Sequence, residues 1–321
     1  MNIFIAGAGG AVGRALIPLL VRNGHTVTGT TRTPAKAAAL RELGAEPVIV
    51  DGLDRAAVLD AVAAAGPEAI VHQMTALAGL TDLRRFERAF AMTNRLRTEG
   101  TEHLLAAARA TGVERVVAQS YAGWPYARTG GPVKTEDDPL DSDPPKGVRT
   151  TLDAMCRLEA MVGEAGGTIL RYGGFYGPGT GMAPAGDQWE TIRARRFPIV
   201  GDGGGVWSFC HIEDAASATL AALEAPAAGE LYNVCDDDPA PVREWLPAMA
   251  AAMGAPPPRH IPRWVGRLMG AHIVSLMSEV RGASNAKLRR ELGWAPSRPS
   301  WRDGVAELAA VSPGAPAREA S

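Results

Sequence analysis

The chain has 321 residues, with 33 lysines and arginines against 35 aspartates and glutamates and a formal net charge of −2. This balance gives no basic field for nucleic acid or an anionic membrane surface, so we expect neither as a partner. Apolar runs stay below the about 20 residues of a membrane span, and a strand pattern from residue 2 predicts no signal peptide. The three cysteines, Cys156, Cys210 and Cys235, are far apart. They favour reduced thiols and a cytoplasmic location, and no metal site is predicted.

The first glycine-rich turn has the pattern of a dinucleotide-binding site. Gly7, Gly10 and Gly13 form a G-x-x-G-x-x-G turn between an apolar strand pattern and a helix pattern. Glycines allow the tight turn, the close approach to a pyrophosphate and the close packing of helix on strand. The free N–H groups at the helix N-terminus would hold the phosphates. We therefore predict cofactor contacts from these glycines and from Ala11 and Val12.

The end of the second strand bears on the choice of cofactor. An acidic residue about twenty positions after the glycine turn would bind the ribose 2′-hydroxyl of NAD, but Thr31 and Arg32 stand there. Arg32 and Lys36 would pair with a 2′-phosphate, which favours NADP. A solvated charge at a strand end is the alternative for Arg32, and NAD is then the alternative cofactor.

Strand and helix patterns alternate through the first half of the chain. This rhythm predicts an α/β protein with a doubly wound parallel sheet, a Rossmann fold, and a smaller, mostly helical substrate-binding part. We expect residues 1–170, with 206–236, to form the dinucleotide-binding domain, 171–310 the substrate part and 311–321 a disordered tail. The predicted strands are 2–6, 25–30, 47–50, 69–73, 115–120, 168–172, 207–212 and 231–234. The predicted helices are 11–22, 54–64, 84–110, 148–165, 187–195, 215–224, 242–253, 262–280 and 284–292.

Two further segments are predicted to serve function. Residues 123–147 are rich in proline, glycine and acids, and so long a loop at the carboxyl ends of the strands is typical of a ligand-binding element. Residues 264–277 interleave arginines with apolar residues. Such a helix either lies on a membrane or covers a substrate cleft, and we favour the cleft.

Several stretches together resemble the extended short-chain dehydrogenase/reductase family, which comprises NAD(P)-dependent epimerases, dehydratases and reductases. They are AGAGGAVG at 6–13, VHQMTA at 71–76, TNRLRTEGTEHLLAAARATGVERVV at 93–117, LRYGGFYGPG at 170–179, FCHIEDAASA at 209–218 and AKLRRELGW at 286–294. The resemblance covers residues 1–310. It implies a dinucleotide-binding enzyme of Rossmann fold, with homodimers formed through the helices near 84–110 and 148–165.

The family's cofactor-binding positions carry over to this chain. Asp51 would hydrogen-bond the adenine amino group, although a turn residue at a strand end fits Asp51 equally well. The remaining positions that would line the cofactor are Gln73, Met74 and Thr75 after the fourth strand, and Tyr172, Gly173 and Phe175 along the nicotinamide.

The family's catalytic residues do not carry over. Its carbonyl-orienting Ser/Thr falls on Tyr121, beside Ser120, and its Tyr-x-x-x-Lys pair falls on Thr151 and Met155. Met155 can neither lower a tyrosine pKa nor grip the ribose. We therefore take Tyr121 as the candidate acid, with Ser120 and Thr151 as candidate hydrogen-bonding groups. Aromatic packing against substrate or nicotinamide is the alternative for Tyr121.

The substrate is predicted from one further departure. Trp207 stands where nucleotide-sugar members often carry a diphosphate-binding arginine, which argues for a flatter, less charged substrate. Trp124, Trp189 and Trp264 would add aromatic surface to the pocket.

Three functions remain open from the sequence. The first is an NADPH-dependent reductase of a small carbonyl compound, aromatic or polyketide-like, with the proton supplied by the substrate or by Tyr121. The second is a nucleotide-sugar epimerase or dehydratase, for which the proton-shuttling pair and the arginine are missing. The third is a non-redox protein, either a sensor of NADP(H) or a cyclase-type scaffold.

Overall fold

A computed structural model describes residues 1–77, 85–226 and 229–310. Its strands are β1 (Asn2–Ala6), β2 (Thr26–Thr31), β3 (Glu46–Ile49), β4 (Ala69–His72), β5 (Arg115–Tyr121), β6 (Val133–Lys134), β7 (Thr168–Tyr172), β8 (Gly174–Tyr176), β9 (Ile199–Val200), β10 (Val206–Trp207), β11 (Phe209–His211), β12 (Leu231–Val234), β13 (Ala240–Pro241), β14 (His260–Ile261) and β15 (Gly282–Ala283). The α-helices are α1 (Ala11–Arg22), α2 (Ala37–Glu42), α3 (Arg55–Ala65), α4 (Phe86–Arg95), α5 (Thr101–Thr111), α6 (Lys146–Glu164), α7 (Asp187–Arg193), α8 (Ile212–Glu224), α9 (Val242–Ala252), α10 (Arg263–Met269), α11 (Ala271–Ser278), α12 (Ala286–Leu292) and α13 (Trp301–Ala310).

The main sheet has seven strands in the order β12-β7-β5-β4-β1-β2-β3. Every neighbouring pair is parallel, so the predicted doubly wound α/β fold is confirmed. Helices cover both faces, which is why β1 and β4 are apolar along their length. The strand order reverses between β1 and β4, and open α/β sheets bind ligands at such a point.

Apolar cores lie on both sides of the sheet and outside it. One packs α1 and α8 against one face, and another packs α3 and α5 against the opposite face. A separate core surrounds Phe209, Trp245 and Trp301 and joins α9 and α13. None of the described helices has the length and apolar character that crossing a bilayer requires.

Several predicted elements differ from the structure. The helix predicted over 84–110 is α4 and α5 joined by a π turn, Leu96–Gly100, and residue 84 lies outside the described residues. The helix predicted over 262–280 is broken between α10 and α11 at Gly270, whose φ is 135°. The strand predicted over 207–212 does not return to the main sheet, because β11 pairs with β8 in a separate two-stranded sheet. The predicted tail, 311–321, lies outside the described residues.

Candidate active site

A cavity of about 760 Å³ opens at the carboxyl ends of β1, β2, β4 and β5. Its size is typical of small-molecule sites. We call the part lined by 7–14, 30–36 and 73–75 the cofactor end. The substrate end is lined by Phe86, Phe90, Arg97, Tyr121, Trp124, Trp207 and Leu276. Within the described residues, no cluster of three or more potential metal ligands is found.

The glycine turn forms the floor of the cofactor end. Gly7 has a φ of 91°, and a Cβ there would lie 2.7 Å from the backbone of Gln73. A Cβ on Gly13 would lie 2.4 Å from the carbonyl oxygen of Ala8. Gly10 caps α1 without a side-chain hydrogen bond, and the first turn of α1 carries no acid. The cradle therefore fits a pyrophosphate on the helix N-terminus, and Ala11 and Val12 line it with the three glycines.

Three cations line the cofactor end beside this cradle. Arg32 and Lys36 are exposed on the segment after β2, and the stem of Lys36 lies over Gly9. Arg14, in the first turn of α1, reaches Gly179. Among the described residues, none of these three cations has an ion-pair partner. Arg14 was missed from the sequence, although its place directly after Gly13 was a usable signal.

The predicted adenine contact, Asp51, does not line the cavity, whereas its neighbours Val50 and Gly52 do. The Asp51 carboxylate accepts a hydrogen bond from the Leu53 backbone N–H at 3.1 Å. This arrangement agrees with the alternative that Asp51 is a turn residue at a strand end.

The residues that directly follow β4 lie at the cavity. Gln73, Met74 and Thr75 all line the cavity, and so does Thr31, whose hydroxyl accepts a hydrogen bond from the Thr33 backbone N–H at 3.1 Å. Gln73 is buried, and its Oε1 has no partner within the described structure. An unpaired buried acceptor that lines a cavity is available to a ligand donor.

The predicted nicotinamide contacts need correction. Phe175 lines the cavity, but Tyr172 and Gly173 do not. Tyr172 is fully buried in the core shared with α8, where its hydroxyl bonds Thr219 at 2.7 Å. A Cβ on Gly173 would lie 2.7 Å from the Ser208 carbonyl oxygen, so this glycine serves close backbone packing.

Tyr121 is half-buried and lines the substrate end at the end of β5. Its hydroxyl lies over Gly123, where an added Cβ would come within 2.4 Å of the phenol oxygen. Burial raises the pKa of Tyr121 to about 12, although the charge of Arg97 opposes the shift. The phenol is therefore protonated at neutral pH and is a hydrogen-bond donor.

Ser120 is corrected as a candidate catalytic group. Its side chain is 1% exposed and does not line the cavity. The Ser120 hydroxyl donates to Glu159 at 2.6 Å, and Arg171 holds the same carboxylate through two hydrogen bonds of 2.8 and 2.6 Å. Ser120 thus belongs to a buried ion-pair network that joins β5 and β7 to α6.

Thr151 and Met155, at the positions of the family's tyrosine and lysine, are both sealed from the cavity. Thr151 is 0% exposed, and its hydroxyl accepts from the Asn94 amide at 3.0 Å. Met155 packs in an apolar cluster with Phe86 and Leu152. The role predicted for Thr151 at the substrate is therefore wrong, because helix packing takes up its hydroxyl.

Aromatic rings dominate the substrate end. Phe86 and Phe90 stack with ring centroids 4.2 Å apart, and Trp124 meets Phe86 edge-on at 5.8 Å. Trp207 lines the cavity and donates its indole N–H to the Leu276 carbonyl oxygen at 2.8 Å. Leu276 thus brings α11 to the cleft, whereas Trp264 and Leu268 of the 264–277 segment are exposed on α10.

Two tryptophans predicted for the pocket lie elsewhere. Trp189 is buried in the core around Trp245, and Trp264 is 66% exposed on α10.

Arg97 was missed from the sequence. It lies on the π turn, is 4% exposed and lines the cavity close enough to influence Tyr121. The sequence shows only that Arg97 belongs to a helix pattern. An arginine in such a pattern is usually expected to be exposed on the surface.

Comparisons with known proteins agree with this fold. The model of the NAD dependent epimerase/dehydratase family matches residues 3–235. A 3-diazoavenalumate denitrifying reductase from a Streptomyces species is 45% identical over 309 residues, which cover 95% of this chain and 99% of the relative. A 2-alkyl-3-oxoalkanoate reductase from Stenotrophomonas maltophilia is 30% identical over 267 residues, or 80% and 77% of the two chains.

Solved structures share the fold. The UDP-glucose 4-epimerase of Thermus thermophilus, in complex with NAD, has a TM-score of 0.75 at 22% identity and covers 97% of this chain and 98% of the other. The similar proteins are thus reductases and epimerases. This chain is an NAD(P)-dependent enzyme of the extended short-chain dehydrogenase/reductase type. The chain belongs to the NAD-dependent epimerase/dehydratase family.

Proposed function

We propose that this protein is an NADPH-dependent reductase of a small aromatic compound, and that the group it reduces takes no proton from the protein. The observation that supports this most is the burial of Thr151 and Met155. The positions that carry the proton-exchanging pair in related enzymes do not reach the cavity, and Tyr121 has a raised pKa of about 12.

The preference for NADPH rests on the cations after β2. A 2′-phosphate would meet Arg32 and Lys36, and among the described lining residues the cofactor end carries no carboxylate. Charge-assisted hydrogen bonds to phosphate are among the stronger polar contacts in proteins. NAD lacks this phosphate and would leave both cations unpaired.

A diazo group fits a site without an acid. The nicotinamide, when bound, supplies a hydride. An aryl diazonium ion carries one positive charge, so the two electrons of a hydride neutralise it. The ring C–N bond breaks, a C–H bond takes its place, N2 leaves with the electrons of the broken bond, and no proton is consumed. The denitrifying function named for the relative at 45% identity supports this choice of substrate.

The lining suits such a substrate. Tyr121 and Trp124 lie with ring centroids 6.3 Å apart, next to the stacked Phe86 and Phe90. Aromatic faces attract cations, and Trp and Tyr faces do so best. Flat rings also fill a narrow aromatic slot with large buried apolar area.

A carbonyl substrate is the second candidate, favoured by the Tyr121 hydroxyl in the cavity. Hydride transfer to a carbonyl leaves an alkoxide, which must gain a proton. Tyr121 would donate it. The two candidates differ in what they require of Tyr121, because only the carbonyl substrate needs its proton.

The test compares wild type and Tyr121→Phe on an aryl diazonium carboxylate and on the matching aryl ketone, following NADPH oxidation and N2 release. We expect kcat on the diazonium to stay within about threefold, since general acid catalysis, worth about 100- to 10,000-fold, is not in use. A loss of 100-fold on the diazonium would make Tyr121 the acid. NADPH binding without consumption by either compound would support the non-redox alternative, and turnover of UDP-glucose would support an epimerase.

A further inference from the structure

Arg97 is a buried cation without a partner. It is 4% exposed, its Nη1 has no hydrogen-bond partner, and its guanidinium forms no ion pair with any described residue. Arg171, equally buried, shows the usual arrangement, because it bonds both oxygens of Glu159 and the Tyr126 hydroxyl. No hydrogen bond or ion pair joins Arg97 to Glu159, although the charge of that carboxylate opposes the effect of burial on the Arg97 pKa.

An unpaired buried charge destabilises a fold unless something compensates it. Burial lowers the pKa of Arg97 to about 10, so the guanidinium remains charged at neutral pH. Its helix makes a π turn at this point, and π turns occur frequently at functional sites. The turn places Arg97 on the cavity wall beside Leu96 and near Tyr121.

Arg97 is not among the groups that would hold the cofactor phosphates. The cofactor end has its own anion binders, namely the α1 N-terminus with Arg14, Arg32 and Lys36. Arg97 lies among aromatic and aliphatic side chains at the substrate end, and no ion pair joins it to Asp187, a carboxylate on α7 that also lines the cavity. The missing partner is thus expected on the substrate side.

We propose that Arg97 binds a carboxylate of the substrate and thereby fixes which end of a flat aromatic acid faces the nicotinamide. A guanidinium binds a planar carboxylate through parallel hydrogen bonds, which gives direction as well as affinity. This proposal rests on the proposed function for treating the ligand as the substrate, but not on the nature of the reduced group.

The test measures binding alone, so it stands apart from turnover. Cinnamate and cinnamamide, which share a shape and differ in charge, are titrated by calorimetry into protein saturated with NADP+. Arg97→Gln is expected to weaken cinnamate binding about 10- to 100-fold, as for loss of a hydrogen bond between charged groups. Cinnamamide and NADPH affinities should stay within about twofold. Arg97→Lys should keep part of the preference for the acid, and Arg109→Gln, on the exposed end of α5, should keep all of it.

A stability measurement separates binding from a structural role. Without ligand, Arg97→Gln should have a Tm equal to or above that of wild type, because a neutral side chain replaces an unpaired charge. A lower Tm, an equal loss for the acid and the amide, or unchanged cinnamate binding would overturn the proposal. If cinnamate binding falls as expected while no diazonium is reduced, the proposed function fails and the carboxylate site remains.

Discussion

The two ends of the cavity are built in different ways. The cofactor end is formed by backbone, where Gly7 and Gly13 bring a strand, a turn and a helix together within one short stretch. The substrate end is formed by side chains from segments far apart in sequence, such as Phe86 and Leu276. A site formed by backbone tolerates few substitutions and keeps one function. In a site formed by side chains, single residues can be substituted one at a time. The positions of the family's catalytic pair, Thr151 and Met155, are buried and form no part of either end of the cavity.

The largest effect is expected on stability, when a lysine is placed at the position where related enzymes carry one. Met155→Lys is expected to lower the free energy of unfolding by about 3 to 5 kcal/mol, because it buries an uncompensated charge in an apolar cluster. Urea unfolding would measure the change, with Met155→Leu as a control that costs less than about 1.5 kcal/mol. A stable Met155→Lys protein with a lysine that reaches the cavity would show that the substrate end can still hold the pair.

A side chain added to the glycine turn should weaken cofactor binding by steric exclusion. Gly13→Ala places a Cβ 2.4 Å from the Ala8 carbonyl oxygen, so the turn must shift away from the pyrophosphate. We expect NADPH affinity to fall about 100-fold, or about 2.7 kcal/mol, measured by fluorescence titration. Gly163→Ala in α6 is the control, because its Cβ would lie 3.9 Å from the Cδ1 of Ile169, which is an ordinary van der Waals contact. Normal NADPH binding by Gly13→Ala would contradict the placement of the phosphates.

The smallest effect is expected on the preference for NADPH over NADH. Arg32→Ala is expected to weaken NADPH binding about tenfold, or about 1.4 kcal/mol, while NADH binding changes less than twofold. Competition titrations of the two cofactors would measure the ratio. Arg109→Ala serves as the control for a lost surface charge. Equal losses for both cofactors would argue that Arg32 does not contact a 2′-phosphate.

The fold was largely predictable because its signals are local. The apolar spacing of α1 and the strands of the main sheet depend on neighbours within a few residues. The helix predicted over 262–280 failed at Gly270, since a single glycine in a helix pattern does not reveal that it adopts a positive φ. The six-residue α2 was too brief to stand out, whereas α13 was missed although Trp301, Val305 and Leu308 recur on one face of it.

The site residues also differ in whether their signals are local. Gly7, Gly10 and Gly13 could be placed at the cavity because strand, turn and helix follow one another in the sequence. Ser120 and Thr151 were wrongly placed at the substrate because the sequence names a residue type and not its partner. Only the tertiary structure shows that Glu159 and Asn94 already engage their hydroxyls.

The π turn at 96–100 has a consequence for how this enzyme can change. A π turn holds one residue more than a turn of α-helix, so a one-codon deletion there would restore a regular helix. Because the wider turn accommodates the extra residue, the helix on either side would keep its facing, and the residues presented within the turn would change. Which residue of this helix faces the ligand can thus be altered by reading-frame-preserving insertions and deletions as well as by substitutions.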